Sequence, residues 1–211
     1  MVTSEIKRDV YARLRSSMQE LGLEKIARRQ QYRTQLGDDV SGFVAFADAT
    51  KKTRDTLWIN VSVALVCDEV ESLISEWCGD SIEQPVTVQV NVGYLETPAH
   101  WFEVDFGTDK PIGDGVVKLL EAVRLKALPF LEGHSTLAPV ADLFEKGLPM
   151  APRHREERLP LLFALSGEIE KGYAMLGHIM EKVESGENLT LLPRRLAYID
   201  GFTKRFPRVS M

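Results

Sequence analysis

Two tryptophans set among amides and carboxylates are the residues here whose types and spacing could do chemistry. Trp58 sits in TLWINVSVALV (56–66) and Trp101 opens WFEVDF (101–106). Successive side chains of a strand point to opposite faces. Trp58, Asn60 and Ser62 therefore oppose Leu57, Ile59, Val61, Val63 and Leu65, and Trp101, Glu103 and Asp105 oppose Phe102, Val104 and Phe106. The stretch 85–94 repeats the pattern, Thr87, Gln89 and Asn91 against Val86, Val88, Val90 and Val92; RRQQYRTQL (28–36) adds Arg29, Gln31 and Arg33. If these strands pair, one sheet surface collects Trp58, Asn60, Gln89, Asn91, Trp101, Glu103, Asp105 and Arg33. Tryptophan and arginine are the residues that most often anchor interfaces. The same composition could line a ligand groove, face plain solvent, pack under the C-terminal helices, or meet a second copy of the chain.

No catalytic signature accompanies this surface. His100, His134, His154 and His178 are scattered, without HxH or HExxH spacing. Ser166 precedes Gly167 but lies in no GxSxG elbow. Gly113-Asp114-Gly115 opens a helix without a phosphate-binding pattern, and reads as a turn and cap. Glu103, Asp105 and Asp109 could offer hard oxygens to a divalent cation, yet the first two are also the ordinary outward positions of an alternating strand. We therefore assign no catalytic residue, no metal ligand and no cofactor. A hydrolase-like or metal-dependent enzyme using Glu103, Asp105 and His100 is the alternative to a binding protein.

The 211 residues carry a net charge of −5, with 44% hydrophobic and 27% charged side chains, the values of an ordinary globular chain. The charge is uneven. Residues 1–33 hold 8 basic and 4 acidic side chains, residues 34–115 hold 4 and 15, and residues 116–211 hold 14 and 12. An acidic middle argues against nucleic acid, which needs clustered Lys and Arg, and suits a basic protein partner. Cys67 and Cys78 are the only cysteines. On one helix they would stand about 16 Å apart, too far to bridge, so reduced thiols and a cytoplasmic location are expected. The N-terminus lacks an apolar signal region, and no apolar run is long enough for a membrane span.

The elements that must hold the face follow from periodicity. Ile6, Val10, Leu14, Met18 and Leu21 mark an amphipathic helix, with Ser4 as N-cap and Gly22 as terminator. Strands are expected over 28–36, 42–48, 56–66, 85–94 and 101–106, with a short helix from Asp68 to Trp77. From Gly113 the period turns helical: Val116, Val117, Leu119, Leu120, Val123 and Leu128 mark one helix that Pro129 bends or ends. Leu137, Val140, Leu143 and Phe144 mark another. MAPRHREER (150–158) reads as a charged linker; a long helical segment over 156–185, interrupted by Gly167, Gly172 and Gly177 and so divisible into two helices, and a last helix over 193–206 follow. The fold class is α+β: a mostly antiparallel sheet of about five strands, helices on one face and a helical C-terminal tail. The expected domains are 1–148 and a helical extension, 153–211, packed on it.

The order of these elements carries a resemblance. The helix ending Leu21-Gly22-Leu23, the strands RRQQYRTQL, GFVAFAD and LWINVSVAL, Trp101-Phe102 before a late strand, and Leu128-Pro129-Phe130-Leu131 together resemble the bacterial DUF4304 domain over about residues 4–145. That family brings no assigned activity, so no catalytic residue carries over. Some small bacterial α+β proteins serve as immunity or antitoxin partners, an association that would make the polar face a protein-binding one.

Overall fold

The computed structural model describes residues 2–26, 29–51, 56–79, 85–107, 110–147 and 152–208, with backbone alone at 2–3, 49–51 and 152–154. In chain order the elements are α1 (Val2–Glu20), β1 (Glu24–Lys25), β2 (Gln31–Gln35), β3 (Val40–Lys51), β4 (Thr56–Cys67), α2 (Asp68–Cys78), β5 (Val88–Asn91), β6 (Glu103–Phe106), α3 (Ile112–Ala122), α4 (Leu128–Glu132), α5 (Leu137–Glu145), α6 (Pro152–Leu165), α7 (Ile169–Glu184) and α8 (Leu192–Arg205). The class is α+β, as expected. The chain forms two compact units, one of residues 1–65 and 89–134, the other of residues 66–88 and 135–211. This division differs from the expected junction between 148 and 153. The charged stretch read there as a linker is helical from Pro152 onward, and Glu157 and Arg158 within it are buried.

The first unit is a sheet with helices on its aliphatic side. Among the described residues the strand order is β1-β2-β3-β4-β5, with β6 also paired to β4. The β1–β2, β2–β3 and β4–β6 pairs are antiparallel. Strict alternation along β4 buries Leu57, Ile59, Val61, Val63 and Leu65 completely, and leaves Trp58, Asn60 and Ser62 half-buried. Val104 and Phe106 of β6 are buried beside them. Over this side lie α1, whose Ile6, Val10, Leu14 and Met18 are buried, and the α3–α4 segment. Tyr11 of α1 donates to Asp48 of β3 at 3.0 Å, and Lys7 does so at 2.7 Å. α1 begins at Val2, so Ser4 stands within the helix instead of capping it.

Pro129 does not end its helix, which runs on to Glu132. Residues Val123–Ala127 widen into a π turn, closed by the Leu128 N–H on the Val123 carbonyl, and α4 continues through the proline. The wider turn accommodates a residue that lacks an N–H and whose ring crowds the carbonyl four residues back.

The second unit is helical. α2 packs on α6 and α8, α5 on α6, and α7 on both α6 and α8. The long helical segment divides at Gly167, whose φ of 88° only glycine adopts cheaply. Gly167 N–H donates to the Ala164 carbonyl and Glu168 N–H to that of Phe163 at 2.8 Å, so the last carbonyls of α6 are satisfied as the chain turns.

Candidate functional site

The β4–β6 register assembles the centre of the expected face. Trp58 stands directly across from Asp105, and Asn60 across from Glu103. Trp101 precedes β6 by two residues and leans the same way: its indole Nε1 donates to Glu103 Oε2 at 3.3 Å. Trp101 is 51% exposed, the most exposed aromatic ring of the described large apolar residues. Its ring meets Tyr94 edge to face, with centroids 6.1 Å apart and planes at 69°. The Lys110 ammonium contacts Asp105 and holds its carboxyl below the usual carboxylate range.

Asn91 departs from the expected face. It is 5% exposed, and its amide is spent inside the fold. Oδ1 accepts from Phe102 N–H at 2.8 Å and from Gly93 N–H at 3.0 Å, and Nδ2 donates to the Phe102 carbonyl at 3.0 Å. One side chain thus grips both backbone groups of the residue between Trp101 and Glu103. β5 stops at Asn91 because Val92–Leu95 winds into a 3-10 turn, where sequence alternation had continued the strand to 94. A Cβ on Gly93 would stand 2.8 Å from Phe102 N, so this crossing of backbones requires glycine. Asn91 is therefore a positioning residue and not a contact residue.

The remaining expected members are dispersed. Gln89 is exposed on β5. Arg33 is exposed on β2, which β3 separates from β4 in the sheet. Its guanidinium donates to Ser41 Oγ at 2.7 Å and to Gln35 Oε1 at 3.3 Å, and lies 5.9 Å over the Phe43 ring across the strand pair. Thr87, read into the outward ladder, is buried in the second unit. Asp109, the third member of the expected carboxylate trio, lies outside the described residues. Among the described residues no group of three or more His, Cys, Asp or Glu side chains is placed to hold a metal ion.

Two features escaped the sequence reading. On the inner side of the same loop, the Lys126 ammonium lies 4.9 Å over the Phe102 ring and pairs with Glu96, whose carboxyl it holds below the usual range; His100 Nδ1 stands 3.3 Å from that carboxylate. In the second unit, Glu71 and Arg158 form a buried two-point ion pair, both contacts 2.7 Å, and Thr87 Oγ1 donates to Glu71 at 2.9 Å while accepting from the Cys67 N–H. Glu157 pairs with Arg194, and Glu69 with Arg205 at 3.1 Å. Residues 66–88 hold six acidic and no basic side chains. The acidic middle of the sequence is thus divided between the units, and part of it answers arginines of α6 and α8. A signal for this existed: Cys67, Val70, Glu71 and Ile74 recur at helical spacing, which sets one carboxylate on an apolar stripe.

No family model matches the chain, and no curated protein or solved structure is significantly similar to it.

Proposed function

We propose that the chain is a protein-binding module whose contact surface is the outward face of β4 and β6, centred on Trp58, Asn60, Trp101 and Glu103. The observation that carries this reading is Trp101: a large ring half in solvent, held in place by Tyr94 and Glu103 and by the Asn91 grip on its neighbour. Folding gains little from an indole left there, whereas an interface gains a rigid, amphipathic anchor. The half-buried Trp58 extends the apolar centre, and Asn60 and Glu103 supply a polar surround. The partner is a protein with a complementary basic segment, and an immunity-type role against a basic toxin is the sharpest form of the proposal. The test is affinity capture from lysate of the source, with the native chain, Trp101→Ala and Trp58→Ala as parallel baits. The reading expects one stoichiometric protein on the native bait, lost from both variants while their far-ultraviolet dichroism stays native. Equal recovery on all three baits overturns it.

A further inference from the structure

We propose that the groove between α2 and α8, within the second unit, binds a small organic cation: a primary ammonium carrying an apolar body. This groove shares no residue with the contact surface proposed above. α2 turns Glu69, Leu73 and Glu76 to one side, and α8 turns Ala197, Gly201 and Arg205 toward them, so the seam follows the three-to-four-residue spacing of both helices. The space it encloses is about 700 Å³, within the range of small-molecule sites. Leu73, Trp77 and Ala197 give it an apolar floor. The Trp77 ring is held in place there. A Cβ on Gly201 would stand 2.3 Å from the indole, so the α8 backbone lies directly against it. Tyr198 meets the same ring edge to face, with centroids 5.7 Å apart and planes at 74°. A floor fixed in this way spares a ligand the cost of ordering it.

The rim sets the sign of the ligand. Arg205 is answered by Glu69 across the seam at 3.1 Å, and Lys204 by Asp200 on its own helix at 2.7 Å. Both basic groups of the groove thus already hold a carboxylate. Glu76 is the third carboxylate, and it makes no hydrogen bond or ion pair among the described residues. It stands in the last turn of α2, where no basic side chain accompanies it and the helix end is itself negative. Folding gains nothing from a charge placed there. An ammonium gains from the carboxylate, from the helix end and from the π face of Trp77, which lines the same groove. The Glu69–Arg205 pair bridges the two helices at the start of α2. Seven residues of helix separate Glu69 from Glu76, a rise of about 10 Å, so the space suits a short molecule with its charge at one end.

The probe is 2-phenylethylammonium chloride, titrated into the isotope-labelled full chain while the indole N–H resonances are followed by NMR; the Trp77 resonance is assigned by its loss in Trp77→Phe. A saturable shift of that resonance is expected. The affinity should be about tenfold weaker with 2-phenylethanol, which has the same body without the charge, and no shift should appear with 3-phenylpropionate. Glu76→Gln keeps the shape of the side chain and removes its charge, so it should weaken binding by about tenfold at an unchanged melting temperature. Ala197→Leu fills the groove from the α8 side and should abolish the shift while the far-ultraviolet dichroism stays native. Each variant decides by itself if the other does not fold. Absence of a saturable shift, an equal response to 2-phenylethanol or 3-phenylpropionate, or an undiminished response in either folded variant overturns the proposal.

Discussion

Asn91 makes three hydrogen bonds from one buried amide, and all three go to backbone groups around Trp101. Deleting a partner of buried backbone groups leaves them without water or protein to bond, at about 1–3 kcal/mol. Asn91→Ala should lower stability by about that much, seen as a fall in the urea midpoint at unchanged slope. It should also weaken partner capture although Asn91 touches no partner, because the Trp101–Glu103 corner loses its anchor. Retained capture with lowered stability would show that the corner does not depend on this grip. Alternation placed Asn91 on the outward side, where the pattern was silent about a side chain that folds back to serve its neighbour's backbone.

At the scale of elements, legibility tracked the strength of the period. β4 and α1 read directly because each packs one uninterrupted apolar side, Leu57 to Leu65 and Ile6 to Met18. The face at Trp58, Asn60, Trp101 and Glu103 was legible for the same reason. What alternation could not supply was register and sheet order, which join those four and leave Arg33 two strands away. The stretch MAPRHREER was misread because charge usually signals solvent; here Arg158 lies on an apolar helix side and is neutralised by Glu71, 87 residues away in sequence. That pairing predicts a large asymmetry. Arg158→Ala strands a buried carboxylate and should cost about 3–5 kcal/mol. The double variant Glu71→Leu with Arg158→Met replaces both charges by apolar groups and should recover most of the loss. Urea unfolding of the single and double variants checks this, and a double variant no more stable than Arg158→Ala would show that packing, and not the uncompensated charge, sets the cost.

Across the whole molecule the two units share one liability. Burial raises the Tyr11 phenol above its ordinary value, reinforced by the Asp48 carboxylate, and burial raises Tyr198 in the other unit. A raised phenol is held neutral by the fold, so its contribution is intact below the unfolded value, about pH 10, and is lost as pH climbs toward the folded value. The urea midpoint should therefore fall above about pH 10, and the fall should be shallower in Tyr11→Phe. An identical slope in that variant would remove Tyr11 from the account. Among the described residues no helix is long and apolar enough to cross a membrane. The proposed contact surface is the outward side of β4 and β6, and it requires that this side be open. Hydroxyl-radical oxidation of the isolated chain, read residue by residue by mass spectrometry, tests this most directly. The account predicts that Trp101 is oxidised faster than Trp58 and Trp77, in keeping with its exposure, and that captured partner slows it. A Trp101 as protected as Trp58 in the isolated chain at low concentration would contradict an open face.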